Sequence, residues 1–445
     1  MAINVLVVDD SAFMRKMVSD MINSDPRLHV IGTARDGLDA LEKVRELPVD
    51  VITLDVNMPR MDGLEFLERL MAEKPLPVVM LSSLTQEGSD IAMEALALGA
   101  VDIVAKPSGA ISLDIEKVKD DLLRKVRTAA RARLQVRPSR ARSKPSVGPG
   151  GTGDGGTRDV GARDVGRRDW RSPAAEDGRR EPRFAGWGRR AEDPGHARAS
   201  VPDEEEGGTA GGPAGGPATN APGRRIFRAV RPAFRGHLYS DAGMPPKRPL
   251  GGTPRVLVAI GASTGGPTAV EEVLCGLPPD LDVGIVITQH MQAGFTLSFA
   301  NRLNSRCAFT VKEADHGDAL RTGLALVAPG DYHMVVTPGH RVALNQDPPV
   351  HYVRPAVDVM MISAAEVYGP RIVGVILTGM GRDGSGGMAA IKKAGGRTIV
   401  QDEETSVIFS MPNAVIVAGY ADEVVPLPKV AERIAFHSME LMKLP

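Results

Sequence analysis

Cysteine is almost missing from this chain, with Cys275 and Cys307 the only two in 445 residues. Two cysteines make neither a disulfide framework nor a metal-ligand cluster, so both are expected as small buried hydrophobes. An excess of one charge is also lacking, since 54 Lys and Arg stand against 55 Asp and Glu. That balance gives no whole-chain argument for nucleic acid or an anionic membrane as partner. No apolar run approaches the roughly 18 residues needed to span a bilayer, so no membrane insertion is expected. The opening MAINVLVVDDS enters a strand-like run directly, without a charged-then-apolar leader. A cytoplasmic protein is therefore expected.

What is present divides into three regions. At this length two or three domains are expected. From Met1 to about Leu134, short apolar runs (NVLVVDD, VDVITLDV, LPVVMLSS, VDIVAKP) alternate with amphipathic helical patterns (SAFMRKMVSDMI, GLEFLERLM, IAMEALALG). Such alternation implies βαβ units and a parallel sheet covered on both faces. The helix after VDIVAKP becomes basic toward its end, which suits the helix dipole. From about Gln135 to Thr253 the pattern gives way to Gly, Pro, Arg and acids, as in GPGGTGDGGTRD and DEEEGGTAGGPAGGPATNAPG. A stretch of that composition buries too little apolar surface to offset chain entropy and is expected to be a disordered tether. From Pro254 the alternation returns for nearly 200 residues. The expected architecture is α/β twice over: a flavodoxin-like, doubly wound receiver at 1–125 and a second doubly wound α/β domain at 253–445. Residues 126–252 hold the helix end and the linker.

Two constellations carry chemistry. In the first region Asp9 and Asp10 end the first strand, Asp55 ends VDVITLD, Ser82 ends LPVVMLS and Lys106 follows VDIVA. Ligand sites of parallel sheets lie beyond the carboxyl ends of strands, so the five are expected to converge. Three packed carboxylates repel one another and call for a hard divalent cation such as Mg²⁺. That cation and a lysine would stabilise charge on a carboxylate accepting a phosphoryl group.

In the last region G261-A-S-T-G265-G266 joins a strand to a helix. The glycines allow a sharp turn from which Ser263 projects, as in a nucleophile elbow, with Ser263 and Thr264 at a helix N-terminus. On the turn alone, a nucleophile and a phosphate cradle remain equally open. His290 ending VGIVITQH and Asp383 following RIVGVILTG favour the nucleophile, because a serine needs an imidazole and the imidazole a carboxylate. The order Ser, His, Asp differs from the usual α/β-hydrolase order. Met380, central in GMGRDG, is expected to serve the oxyanion or line the cleft, along with Thr264. Arg354 and Asp358 are expected either to face substrate or to form a structural ion pair. His333 and His316 are weaker cleft candidates, and His340, His351 and His437 are expected at the surface.

Both regions carry family resemblances. Through VVDDS, LDVNMPRMDG, VVMLSS and AKP, residues 1–125 resemble response-regulator receivers. The resemblance implies phosphorylation of Asp55 by a histidine kinase, with Asp10 and Asp55, helped by Asp9 and the Asn57 carbonyl, holding Mg²⁺. Ser82 would then bond the phosphoryl group and Lys106 pair with it, while Ile103 stands where many receivers carry a switching aromatic. Through AIGASTGGP, ITQHM, LVAPGDYHM, RPAVDVM, LTGMGRDG and VQDEETSVIFSMP, residues 254–445 resemble the catalytic domain of the CheB family, the chemotaxis protein-glutamate methylesterases. That implies Ser263 as nucleophile, His290 as base and Asp383 as its orienting carboxylate, with no cofactor in this domain. It also implies glutamate methyl esters and glutamines of chemoreceptor cytoplasmic domains as substrates. The receiver, in the family, gates access to the cleft. The alternative is a receiver fused to a nucleotide-binding output module. A DNA-binding output would need a basic recognition helix, and no helix-turn-helix pattern is found.

Overall fold

In a computed structural model of the chain, residues 2–106, 112–134 and 246–444 are described, those at 112–115 and 117 by backbone alone. The expected tether lies outside the described residues from 135 to 245. The N-terminal domain runs β1 (Ile3–Val8), α1 (Ala12–Asn23), β2 (Leu28–Ala34), α2 (Gly37–Glu46), β3 (Val51–Asp55), α3 (Gly63–Glu73), β4 (Val78–Ser82), α4 (Gln86–Leu98), β5 (Asp102–Ala105) and α5 (Ser112–Ala129). Its strands pair in parallel in the order β2-β1-β3-β4-β5. β3 and β4 are buried along their whole length, as expected of strands covered on both faces. LHVIGTA, which forms β2, lies at the sheet edge and was not among the strands expected from sequence. Helices α1 to α4 are each capped by a side chain, from Ser11, Asp36, Asp62 and Thr85 respectively.

The C-terminal domain runs β6 (Val256–Ala262), α6 (Gly266–Gly276), β7 (Val283–Gln289), α7 (Phe295–Arg306), β8 (Thr310–Glu313), β9 (Leu324–Val327), β10 (His333–Thr337), β11 (Arg341–Asn345), α8 (Val357–Tyr368), β12 (Ile372–Ile376), α9 (Ser385–Lys393), β13 (Arg397–Gln401), α10 (Ser410–Val417), β14 (Glu423–Val425) and α11 (Leu427–Met442). Seven strands form one parallel sheet, β14-β13-β12-β6-β7-β9-β8, and β10 and β11 make a separate antiparallel hairpin. This is the doubly wound sheet that the sequence implies, with an antiparallel hairpin beside it. β8 and β11 are short and only partly buried, so their apolar signal in the sequence is weak. The two sheet faces carry separate cores. One gathers Ile260, Ile285, Val270 and Ile434 under α6 and α11. The other gathers Ala259, Val286, Met360 and Met388 under α8 and α9.

Two features correct the sequence reading. Cys275 and Cys307 form a disulfide, 32 residues apart in sequence. Cys307 is buried, but Cys275 is exposed at the end of α6. The lone pair gave no framework to read, because only the packing of α6 beside α7 brings the two together. Secondly, Lys247, Arg248 and Gly251, from a stretch expected in the tether, bind the C-terminal domain. The Lys247 ammonium donates to the carbonyls of Asn304, Cys307 and Phe309 beyond α7, and Gly251 N donates to the Thr322 carbonyl. No helix among the described residues is long and apolar enough to cross a membrane.

Gly63 shows how tightly the first sheet is packed near Asp55. A Cβ there would lie 2.2 Å from the Asp55 carbonyl oxygen, while Gly63 N already donates to the Val56 carbonyl. Gly63→Ala is expected to cost about 1–3 kcal/mol as overpacking against backbone. Calorimetry of the full chain should show a lowered receiver transition; an unchanged one would contradict this close approach.

Candidate functional site

The serine, histidine and aspartate leave neighbouring strands of the large sheet. β6 lies between β12 and β7, so chain continuations from these three strands open a crevice at their carboxyl ends. Ser263 follows β6, His290 follows β7 and Asp383 follows β12. The turn at Ser263 is held by backbone, since Ser263 N donates to the Thr378 carbonyl and Gly266 N to the Ser263 carbonyl. Gly265 has a φ of 76°, and a Cβ there would meet Val407 at 2.6 Å, so only glycine fits. α6 has no side-chain cap. The N–H groups of Thr264 and Met380 find no acceptor among the described residues, which leaves them free for a developing oxyanion.

His290 Nε2 lies 2.7 Å from Asp383 Oδ2, and both side chains are buried. Burial alone would raise the Asp383 carboxyl, but bonds from His290 and from the N–H groups of Val357 and Asp358 hold it below the usual carboxylate range. The Ser263 hydroxyl makes no hydrogen bond to His290 among the described residues. Sequence reasoning missed three polar side chains that fix this geometry. Gln289 donates to the Ser263 carbonyl at 2.8 Å, the Thr378 hydroxyl donates to the Thr264 carbonyl, and Gln401 accepts from Thr378 N. Gln289 and Gln401 are the last residues of β7 and β13, and Thr378 follows β12, so a polar residue at or just past a strand end is the signal that could have found them.

The other candidates divide. Arg354 pairs with Asp331, and Asp358 pairs with His351, so both take the ion-pair alternative. His333 is buried and accepts from Ala356 N, which supports the entry to α8. His316 accepts from Leu344 N in its loop. His351 and His437 depart from the surface expectation, His351 bonding Asp358 and His437 the Glu423 carboxylate. In each case a carboxylate on a neighbouring element draws the imidazole inward.

In the N-terminal domain Asp9, Asp10 and Asp55 bring carboxylate oxygens within 4.8 Å of one another. Lys106 lies 2.9 Å from Asp9 and 2.7 Å from Asp55. Burial raises the Asp55 carboxyl, and the charge of Asp9 adds to this against the pull of Lys106. Burial would lower the Lys106 ammonium, yet Asp55 and Asp9 together hold it above its ordinary value. Asn57 is exposed beside this group. The Ser82 hydroxyl donates to the Gly88 carbonyl in the first turn of α4.

The two sites are linked by contacts between the domains. The Thr264 hydroxyl donates to Asp102 Oδ2 at 2.6 Å, and the Thr128 hydroxyl meets the Met380 sulfur. The other Asp102 oxygen faces the fully buried Lys125 ammonium, which Asp121 also approaches. Gln86 bonds Ser298, Gln292 bonds Asp121 and Arg133 pairs with Glu403. Receiver side chains thus touch both residues expected to serve the oxyanion.

Because Asp383 is held below its ordinary value, its contribution to stability is complete above that value and is lost as pH falls through the depressed one. Thermal unfolding should therefore show an advantage of wild type over Asp383→Asn that is full above about pH 4 and shrinks below it. A gap of constant size down to about pH 3 would contradict the depressed value.

Known proteins resemble both domains of the chain. The model of the response regulator receiver domain matches residues 5–116, and that of CheB methylesterase matches residues 258–434. A protein-glutamate methylesterase/protein-glutamine glutaminase of Symbiobacterium thermophilum is 42% identical, over 97% of this chain and 96% of its own. One from Pyrococcus horikoshii is 41% identical, over 97% of this chain and 92% of its own. The crystal structure of the Thermotoga maritima CheB methylesterase catalytic domain shares 42% sequence identity, covering 41% of this chain and 97% of that one, with a TM-score of 0.40. Nothing in these matches supports the nucleotide-binding alternative. With both domains matched in order and relatives aligned along nearly the whole chain, this protein belongs to the CheB family of receiver-bearing protein-glutamate methylesterases/protein-glutamine glutaminases.

Proposed function

We propose that the protein removes methyl groups from glutamate esters, and ammonia from glutamines, on chemoreceptor cytoplasmic domains through Ser263, His290 and Asp383. The observation that carries this reading is the buried His290–Asp383 pair beside a serine on a glycine turn at the next strand end. Asp383 occupies His290 Nε2, which leaves Nδ1 to take the serine proton. Ser263 Oγ attacks the ester carbonyl as its proton passes to His290. The tetrahedral oxyanion receives N–H bonds from Thr264 and Met380. Collapse breaks the bond to the methoxy group, which leaves as methanol with the proton from His290. Water then adds to the acyl-enzyme, giving its proton to His290, and glutamate departs as the Ser263 oxygen regains that proton. A glutamine follows the same path with ammonia leaving. Asp383 remains ionised throughout and steadies the imidazolium.

The receiver reading assigns phosphorylation to Asp55, from a phosphohistidine kinase of the chemotaxis pathway. The donor set suits Mg²⁺, because three carboxylates crowd together and, among the described residues, Lys106 is the one side chain that ion-pairs with them. Asp9, Asp10, Asp55 and the Asn57 carbonyl would hold it, and when bound it supplies positive charge to the phosphoryl oxygens. Lys106 pairs with the phosphoryl group and the Ser82 hydroxyl turns from Gly88 toward it. Contacts of Asp102 with Thr264 and of Thr128 with Met380 support a gate in which the unphosphorylated receiver occupies groups the substrate needs. The substrate and kinase assign the protein to the cytoplasm.

Labelled methanol release from a methylated receptor fragment tests both parts. Ser263→Ala should lower release by about 10³-fold or more, and persisting release would refute the nucleophile. Acetyl phosphate with Mg²⁺ should accelerate wild type but leave Asp55→Asn unchanged. Equal wild-type rates with and without the donor would refute the gate.

A further inference from the structure

The helices flanking Asp383 exchange their caps. Neither α8 nor α9 receives a side-chain bond from its own N-cap residue, Ala356 or Gly384. Asp383, just before α9, instead accepts from the first N–H groups of α8, Val357 N at 2.7 Å and Asp358 N at 2.9 Å. Asp358, in the first turn of α8, accepts on Oδ1 from the first N–H groups of α9, Gly384 N at 2.9 Å and Gly387 N at 2.7 Å. Each carboxylate thereby sits at the positive end of the other helix. The second Asp358 oxygen, Oδ2, bonds His351 Nε2 at 2.9 Å, so all its bonding directions inward are used. The His351, Asp358 and Asp383 atoms lie within 4.8 Å of one another, and the N–H donors account for the cluster without a cation.

Building on the proposed triad, we propose that Asp358, steadied by His351, is a positioning residue for catalysis. It holds the Asp383 carboxylate at the angle that orients His290. The argument is one of freedom. Asp383 is fixed from one side by α8, and where the backbone that carries it enters α9, the Asp358 carboxylate bonds that backbone to α8 through Gly384 N and Gly387 N. Without the Asp358 carboxylate, Gly384 N and Gly387 N lose their acceptor, and the 382–387 turn can shift away from His290. A displacement near 1 Å at a catalytic group costs about 100-fold in rate. Asp358 touches no substrate in this scheme, so its loss appears in turnover and not in binding.

The test is methanol release by the full chain, treated with acetyl phosphate and Mg²⁺, from a receptor cytoplasmic fragment carrying labelled glutamyl methyl esters. Rates are expressed per folded enzyme from parallel thermal melts. Asp358→Ala should lower kcat by about 10–100-fold with KM nearly unchanged. Asp358→Asn should restore most of the rate, because its amide oxygen can still accept from Gly384 N and Gly387 N while its NH₂ faces the His351 ring. A wild-type kcat in Asp358→Ala, or equal losses in the Ala and Asn variants, would overturn the proposal. If Asp358→Ala does not fold, His351→Ala decides: a several-fold fall in kcat at constant KM supports it, and an unchanged kcat overturns it. Ser263→Ala, run alongside, separates failure of this inference from failure of the triad, since only the latter leaves that variant active.

Discussion

Parallel sheets with helical crossovers deliver helix N-termini to one edge, and each N-terminus brings N–H groups that the helix cannot satisfy itself. Much of this molecule follows from how those groups are answered. In the receiver, Ser11, Asp36, Asp62 and Thr85 answer them locally, one side chain to each helix. In the larger domain the helices around the site have no such caps. At α6 the turn leaves N–H groups free beside Ser263, and at α8 and α9 two aspartates answer across the gap. Local caps stabilise; absent and exchanged caps make a site.

The same logic explains why Asp383 can be both buried and charged. A carboxylate out of water carries a desolvation cost of several kcal/mol unless polar groups replace the solvent. Two N–H groups at a helix start and an imidazole do so here. The imidazole in turn has its orientation defined, and the glycine turn presents Ser263 from the adjoining strand. Gln289 and Thr378 then fix the carbonyls of Ser263 and Thr264.

Much of this arrangement was legible in the sequence, for a local reason. Strand-end residues are marked by the change from apolar to polar, and so Asp55, Ser82, Ser263 and His290 stand out from VDVITLD, LPVVMLS, the glycine turn and VGIVITQH. The parallel topology then supplies their convergence without further information. What escaped depends on partners far apart in sequence. Asp358 reads as an acid that faces substrate or joins an ion pair, because its acceptor role concerns the start of a different helix. His351 reads as a loop histidine until Asp358 is placed beside it. The Cys275–Cys307 bond depends on the packing of α6 and α7, which no spacing of two cysteines reveals. Edge strands such as β2 and β8 have mixed burial and so lack the continuous apolar run of β6.

The bond between Thr264 and Asp102 bears on how easily the two domains part. Both groups are small and polar, and water can take the place of either, so breaking this bond to a carboxylate costs about 1.5–3 kcal/mol net. Asp102 would still neutralise Lys125 after separation, so no buried charge is stranded in the receiver. In the gate proposed above, a form held by such exchangeable bonds together with the packing of α4 on α6 and α7 is suited to an equilibrium with an open form. A modification that shifts such an equilibrium by a few kcal/mol moves the population across most of its range. Reversibility is then a property of the chemistry of the contact, independent of what triggers it.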